Sequence, residues 1–562
     1  MEKPWLKSYE PQVPPTLTYP QRPLDANLTE TAHKFPDATA TVFMDAKLTY
    51  AQLNALVDRF AAALQGMGVR KGDRVAVYVA NCPQFIVAYY GALRAGAIVA
   101  PFNPLYAAPE VEHQLQDSGA ETMLCMSRFY PIVKQVRAKT ALKRLIVTNI
   151  KEYFPPVLKL LFTLAKEKHD GDRQDISDAP NTYWLQDVLN KAPAKPAPVE
   201  VKPGDTAVLL YTGGTTGVPK GAELSHSNIM ANAVMCGAWM HDLREAKEIC
   251  LTALPLYHSF GMTTCMNLSV LIGGAMLLIP NPRDLPTLMK NINKHHPTLF
   301  PGVPTMYVAF NNFPDLAKYD VKSIRACISG AAGLPVEVQK RFEELTGGHL
   351  VEGFGLSEAS PVTHGNPVFG KNKIGTIGLP FPDTESRIVD IDTGTKDLPV
   401  GEAGELIIRG PQVMKGYWNM PKETDIALRN GWLYTGDIAR MDEEGYFQIV
   451  DRKKDMIIAG GFNIYPRDVE EVLYQHPKIK EAVVAGIPDP YRGETVKAYI
   501  ILKEGETATQ QEIVDFCRGR MAKYKVPTAV EFRKELPKTI IGKILRRMLV
   551  EEEKKKQAAQ PK

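Results

Sequence analysis

The 562-residue chain is 44% hydrophobic, 23% charged and 8% aromatic, with 43 Pro and 42 Gly. That is close to the soluble globular average and excludes disordered, collagen-like and coiled-coil chains. The length exceeds the ~250–300 residues at which a single core stops growing, so more than one domain is expected. Lys and Arg number 67 against 63 Asp and Glu, a formal net charge of +4, which over this length is no nucleic-acid footprint. Seven cysteines (Cys82, Cys125, Cys236, Cys250, Cys265, Cys327, Cys517) lie scattered with no Cys-x-x-Cys pair. Reduced thiols are the simple reading, against a disulfide framework or a zinc ribbon.

In chain order, the proline-rich stretch up to Leu24 has no apolar h-region and reads as an extended arm, not a signal peptide. Thr49 opens an amphipathic helix, Arg74–Tyr78 reads as a buried strand, Cys82–Ala95 as a helix and Ala97–Ala100 as a strand. This alternation predicts an α/β protein with largely parallel sheets. After Pro155-Pro156, residues 157–166 have helical periodicity, with Val157, Leu158, Leu161, Leu164 and Ala165 on one face and Lys159, Thr163 and Lys166 on the other. Two readings stand: a short basic amphipathic helix on an anionic membrane, or a helix packed on the core. Apolar runs at Phe85–Leu93 and Leu268–Ile279 stop at Arg94 and Pro280, short of the ~20 residues a spanning helix needs.

Further on, Gly401–Phe447 contains short β-rich runs (Glu405–Arg409, Phe447–Val450) with Gly-rich turns, which predict a small barrel-like subdomain. The cluster Asp451-Arg452-Lys453-Lys454-Asp455 marks the expected domain boundary, giving residues 1–453 and 454–562. Two βα-type units then run to Arg547, and the charge-rich Glu551–Lys556 reads as a solvated or frayed tail.

The strongest local signal follows the apolar run Ala207–Leu210: Tyr211-Thr212-Gly213-Gly214-Thr215-Thr216-Gly217-Val218-Pro219-Lys220-Gly221. Glycines let backbone N–H groups turn toward an anion, hydroxyls add donors, and Lys220 adds charge. The stretch reads as a phosphate-holding loop, with a flexible glycine-rich turn as the alternative. It is not a Walker A loop: Pro219 stands where that template has Gly, and Gly221 follows the lysine in place of Ser or Thr.

This loop resembles the signature of the adenylate-forming superfamily, which includes acyl-CoA synthetases, luciferases and peptide-synthetase adenylation domains. The resemblance recurs in order along nearly the whole chain. Pro255-Leu256-Tyr257-His258-Ser259-Phe260-Gly261 is similar to the aromatic/His segment beside the acyl pocket, which implies that His258 sits near the substrate carboxylate; as a lone histidine it reads equally as a core residue. Ser329-Gly330-Ala331-Ala332 resembles the turn whose backbone approaches adenine. Glu352-Gly353-Phe354-Gly355-Leu356-Ser357-Glu358 resembles the next motif: Phe354 against the adenine ring, Ser357 (in place of the commoner Thr) on the α-phosphate, and Glu358 on Mg2+, with Thr212 as a second metal-shell oxygen.

Trp432-Leu433-Tyr434-Thr435-Gly436-Asp437 resembles the segment whose Asp takes the ribose hydroxyls, with Arg452 on the ribose and phosphate side and Lys454 at the interdomain hinge. Gly460 and Gly461 match the loop bordering the pantetheine tunnel, although Ile458 stands where many relatives carry lysine. Pro537-Lys538-Thr539-Ile540-Ile541-Gly542-Lys543 matches the last core motif, which makes Lys543 the mobile lysine of the adenylation step.

The resemblance implies a large N-terminal domain of layered sheets and helices hinged to a small mobile α+β C-terminal domain. It also implies two half-reactions that use ATP, Mg2+ and coenzyme A: a carboxylate is adenylated with loss of pyrophosphate, and the CoA thiol then displaces AMP. Lys220, Lys543 and His258 are the expected catalytic groups. The whole-chain likeness, including Asn430–Lys454 and Gly410–Trp418, points to long-chain fatty acids. Tyr257, Phe260, Met262 and the Phe300–Pro304 turn are candidates for an apolar channel, and Met262 stands where some long-chain members place a Trp gate. Medium-chain or aryl acids, an acyl-AMP ligase serving a carrier protein, and a P-loop NTPase are the rival readings. Expected partners are the fatty acid, ATP and CoA, with no nucleic acid. The expected location is cytoplasmic; peripheral contact with the inner face of the membrane through 157–166 and a homodimer are left open.

Overall fold

The computed structural model describes residues 3–177, 179–212, 219–459, 462–489, 492–538 and 544–558. Packing divides the chain into two compact units. The larger comprises Leu6–Glu385 and Arg409–Leu433; the smaller comprises Ser386–Ile408 and the chain from Tyr434 onward, joined by Trp5.

The first part of the larger unit alternates strand and helix as the sequence predicts. Thr49 caps the helix Tyr50–Gly66 by accepting from Gln52 N at 3.2 Å, while the Gln52 side chain accepts from Thr49 N at 2.9 Å, a reciprocal capping box. Strands Arg74–Tyr78, Ile98–Pro101, Thr122–Met126, Arg144–Thr148, Thr182–Trp184 and Thr206–Thr212 pair in parallel, extended at one edge by the antiparallel Lys220–Ser225 and Gly416–Tyr417. Helix Pro83–Arg94 is buried along Pro83–Leu93, as expected of a helix held between layers.

A second parallel ladder positions the candidate site. Ile249–Thr252 pairs with Ala275–Leu278 on one side and, through Cys250↔Leu299, with the segment 299–302 on the other. Leu299 and Gly302 bridge to Ala326–Ser329, which pairs in parallel with His349–Gly355. A core of Leu251, Phe300, Tyr307, Phe310, Ile324 and Phe342 packs on this ladder.

Helix Pro156–Ala165 departs from one of its two readings: none of its residues is buried, so it is not a core helix. Phe162, whose ring meets Phe154 edge-on at 5.5 Å, and Thr163, which accepts from Lys151 Nζ at 3.0 Å, tie it to the body.

In the smaller unit, residues 386–389, 404–408, 434–441 and 447–452 belong to one small sheet where the sequence reads barrel-like. Beyond it, Ile457–Ala459, Ile479–Asp489, Gly493–Leu502 and Ala529–Phe532 form a second sheet, with helices Pro466–Tyr474 and Gln510–Arg518 packed on it. The frayed-tail reading of Glu551–Lys556 is corrected. These residues lie in helix Arg546–Ala558, where Leu549 is fully buried and Glu553 accepts from Lys497 Nζ at 2.8 Å. Glu551, Glu552, Glu553 and Lys556, which read as solvating, are held in ion pairs with Arg547, Arg533, Lys497 and Glu531.

Candidate active site

In the larger unit, three sequence-predicted segments leave the C-terminal ends of neighbouring parallel strands, where open α/β sheets bind ligands. Pro255–Gly261 follows strand Ile249–Thr252, the turn 330–333 follows Ala326–Ser329, and Phe354–Glu358 ends His349–Gly355. The register Ser329↔Glu352 sets the last two side by side. Ser259 Oγ lies 3.3 Å from Ser357 Oγ, and the Phe260 ring lies so close to Gly330 that a Cβ there would meet it at 3.0 Å. The fold therefore gathers segments about a hundred residues apart onto one edge.

Each element has a local reason for its shape. Ala331 holds φ +69°, a left-handed conformation that costs a side-chain-bearing residue of the order of 1–2 kcal/mol. Strain of that size in a turn is characteristic of ligand-binding positions. Glu352 is buried, and its carboxylate accepts from Leu334 N at 3.0 Å, pinning the far end of the same turn. Ala331 and Ala332 are exposed, Gly330 and Gly353 are buried, and Phe354 is half-buried. At Gly355 a Cβ would sit 2.3 Å from the Pro361 carbonyl oxygen, so the backbone crossing itself demands glycine. His258 is half-buried; its Nδ1 accepts from Phe260 N at 3.3 Å. Of the candidate channel residues, Phe260, Met262, Phe300 and Val303 are buried and Tyr257 is half-buried.

The two ends of the glycine-rich loop, Thr212 and Lys220, face each other across an antiparallel pair. Gly213, Gly214, Thr215, Thr216 and Gly217 lie outside the described residues. Lys220 is largely buried and pairs with Glu423. Its ammonium lies 5.2 Å from the centre of the Tyr417 ring, and the Tyr417 hydroxyl donates to Glu358 Oε1 at 2.8 Å. Burial and the Glu358 charge both push the Tyr417 phenol upward, so it stays a proton donor. Tyr417 therefore links the loop lysine to the carboxylate expected to hold the metal. Sequence reasoning assigned no role to Tyr417 or Glu423. Tyr417 reaches the site only because it pairs with Ala222, almost two hundred residues away.

Among the described residues, no group of three or more His, Cys, Asp or Glu could hold a metal by itself. Magnesium suits such a site, because it is commonly held by one or two carboxylates with substrate phosphates and water completing the shell. Glu358, a hard oxygen donor oriented by Tyr417, fits that requirement.

In the smaller unit, Asp437 and Arg452 are cross-strand partners, with Arg452 Nε 2.7 Å from the buried Asp437 Oδ1. Asp437 N donates to Thr435 Oγ1 at 3.1 Å, and Thr435 Oγ1 donates to Leu406 O at 2.7 Å, which fixes the turn. Lys453 pairs with Glu405 at 2.8 Å. Partial burial of the Lys454 ammonium lowers its pKa. Arg546, at the start of helix Arg546–Ala558, pairs with Asp455 of the turn 453–455 at 2.9 Å and with Glu470 of helix Pro466–Tyr474 at 2.8 Å. Burial pushes the neighbouring Asp451 up to about 6, although Arg546 pulls the other way. Gly460, Gly461 and Lys543 lie outside the described residues, and Ile458 is exposed.

Residues 28–418 match the model of the AMP-binding enzyme family, and residues 468–543 match that of the AMP-binding enzyme C-terminal domain. The chain is 49% identical to a long-chain-fatty-acid–CoA ligase of Bacillus subtilis strain 168 over 98% of both chains. It is 42% identical to one of Escherichia coli O6:H1, again over 98% of both. Among solved structures it is similar to the anthranilate CoA ligase AuaEII in complex with anthranoyl-AMP, with TM-score 0.83 and 28% identity, covering 96% of this chain and 99% of that one. With its two matched regions in family order and its site segments gathered on one sheet edge, this chain belongs to the AMP-binding enzyme family.

Proposed function

We propose that the chain is an AMP-forming long-chain-fatty-acid–CoA ligase. The observation that carries this is its near-full-length likeness to ligases of that name. In the first half-reaction a fatty-acid carboxylate oxygen attacks the α-phosphorus of ATP, forming the acyl–phosphate bond and releasing pyrophosphate. In the second, the CoA sulfur attacks the acyl carbonyl, loses its proton, and displaces AMP.

Both reactants of the first step are anionic, so the barrier is lowered chiefly by placed positive charge and oriented dipoles. Lys220, at the end of the 213–217 loop, serves the β- and γ-phosphates. Ser357 serves the α-phosphate, Phe354 and the Gly330–Ala332 backbone serve adenine, and Asp437 with Arg452 serves the ribose. His258 orients the substrate carboxylate. Glu352 keeps the adenine turn in shape, and Gly353 and Gly355 let the strand pass close to its neighbours. Magnesium, held through Glu358 with Thr212, supplies charge neutralisation at the phosphates when bound. No side-chain nucleophile is required.

We place the functional boundary at Lys453/Lys454, with Lys454 as the hinge of a mobile small domain. That domain supplies Lys543 to the first half-reaction and Gly460–Gly461 to the second, an exchange of the hinge class. The location is cytoplasmic, with peripheral contact at the inner face of the membrane; no helix of the described residues is long and apolar enough to cross one. A homodimer is a further proposal, read by sedimentation velocity.

The test measures AMP, pyrophosphate and acyl-CoA from purified full-length protein with ATP, Mg2+ and CoA, across C6 to C18 acids and a cinnamate. AMP release that requires CoA and is fastest with long chains is expected. ADP as product refutes the reading outright. AMP release indifferent to CoA refutes the thioester step, and a C8 optimum refutes the long-chain assignment.

A further inference from the structure

We propose that a cavity beside helix Tyr130–Arg137 binds a phosphate ester that also carries hydroxyl groups, the chemistry of a sugar phosphate or of the ribose phosphate of a nucleotide. The cavity has a volume of about 510 Å3 and lies between that helix, the start of strand Arg144–Thr148 and the segment 175–180. That volume is in the range of small-molecule sites. Strands Arg144–Thr148 and Thr182–Trp184 are the outermost two at one side of the eight-stranded sheet. Four strand spacings, ~19 Å in all, separate Arg144–Thr148 from Thr206–Thr212, the strand that enters the glycine-rich loop. The cavity is therefore no part of the site described above.

The lining selects the ligand. Tyr130, Lys134 and Arg137 stand at i, i+4 and i+7, one stripe of the helix, and all three line the cavity. Arg137 is fixed by donating to Thr182 Oγ1 at 2.9 Å and to the carbonyls of Leu142 and Lys143. These acceptors are neutral, so the guanidinium charge is held in place without being compensated. Neither Arg137 nor the exposed Lys134 has an ion pair with any described residue. Tyr130 is only 4% exposed, yet its hydroxyl makes no hydrogen bond to a described residue and is not sealed from solvent. A polar group so deeply placed normally has a partner, and the cavity is where this one would meet it. One acid shares the lining. Asp175 Oδ1 accepts from Ser177 N at 2.9 Å and from Ser177 Oγ at 2.7 Å, while Oδ2 has no partner among the described residues. Two cations and a hydroxyl donor suit a phosphate. The carboxylate oxygen beside them suits a hydroxyl of the same ligand and opposes a bare inorganic anion. An acyl chain fits worse, because the apolar wall is limited to Leu145 and residues 179–180.

This inference goes beyond the proposed function and does not rest on it, because binding is read without turnover. Ribose 5-phosphate is titrated calorimetrically into full-length protein, with inorganic phosphate as the comparison. Saturable binding of one equivalent, weakened by salt, is expected. Lys134→Glu should weaken it ~tenfold or more, and Tyr130→Phe should weaken it less. Asp175→Ala should weaken ribose 5-phosphate while leaving inorganic phosphate unchanged or tighter. Lys134 and Asp175 are exposed, so these variants should fold, which thermal melts check. Three results overturn the proposal: no saturable binding, binding that Lys134→Glu leaves unchanged, or inorganic phosphate bound as tightly as ribose 5-phosphate. Kinetics separate the two sources of such an ester. An unchanged KM for CoA in Lys134→Glu supports a free sugar phosphate or nucleotide, whereas a KM raised for CoA but not for dephospho-CoA supports the nucleotide end of CoA. Failure to form acyl-CoA would bear on the proposed function and leave the titration standing.

Discussion

Tyr417→Phe isolates one hydrogen bond at the site. The substitution removes the hydroxyl that donates to Glu358 at 2.8 Å and keeps the ring that lies 5.2 Å from the Lys220 ammonium. A hydrogen bond to a charged group contributes about 1.5–3 kcal/mol, which at 1.4 kcal/mol per decade is roughly a 10- to 150-fold effect. Because Tyr417 is half-buried, the lower part of that range is expected. The loss should fall on the first half-reaction, where Glu358 is assigned to the metal. In ATP–pyrophosphate exchange, kcat/KM for ATP should drop about tenfold or more, and the Mg2+ dependence should move to higher concentration. Thioester formation from supplied acyl-AMP and CoA should stay within about twofold. A double-mutant cycle with Glu358→Gln should show clear non-additivity, since the two groups touch. Equal loss in both half-reactions, or additive effects in the cycle, would show that Tyr417 only packs and that the assignment of Glu358 lacks this support.

Two further outcomes test the scaffold. Gly355→Ala places a Cβ 2.3 Å from the Pro361 carbonyl oxygen and 2.8 Å from its carbon. Both are backbone atoms that cannot step aside, so a destabilisation of ~1–3 kcal/mol and a raised KM for ATP are expected; a wild-type melting temperature and KM would contradict the crossing. For pH, burial holds His226 down at about 4 and His364 at about 3, against ~6.5 in an unfolded chain. Both are neutral when folded, so their contribution is complete above pH ~6.5 and lost as pH falls toward 4, each adding a slope of ~1.4 kcal/mol per pH unit. His226 Nδ1 accepts from Leu24 N at 3.1 Å, and His226→Asn keeps an acceptor in that place. Denaturant titrations followed by tryptophan fluorescence between pH 6 and 4 should show the variant with a slope lower by about that one-group amount. Parallel profiles would mean that His226 is protonated in the folded protein.

Local chemistry made much of the molecule readable in advance. Thr49 and Gln52 signal a helix start because capping needs only residues three apart, and the strand Arg74–Tyr78 carries its apolar run within five residues. The loop from Thr212 to Lys220 is conspicuous because glycines, hydroxyls and a lysine are contiguous. What escaped notice depends on contacts remote in the chain. Tyr417 and Glu423 look like ordinary surface residues until strand pairing brings them to Lys220. The charged stretch Glu551–Lys556 reads as a tail because its partners Lys497, Glu531 and Arg533 lie elsewhere in the chain.

Sequence by itself determined the kind of protein: an α/β chain carrying, in family order, the residue types that an adenylate-forming site requires. Those residues are set by short-range requirements of chemistry and backbone geometry, which survive in a string of letters. Tertiary structure decided which of them meet. It set Ser259 beside Ser357, Phe260 against Gly330, Glu352 on the 330–334 turn, and Tyr417 between Lys220 and Glu358. It also decided which way helix Pro156–Ala165 faces. Periodicity fixes the width of an apolar stripe, but whether that stripe meets the core or solvent depends on what the rest of the chain leaves uncovered.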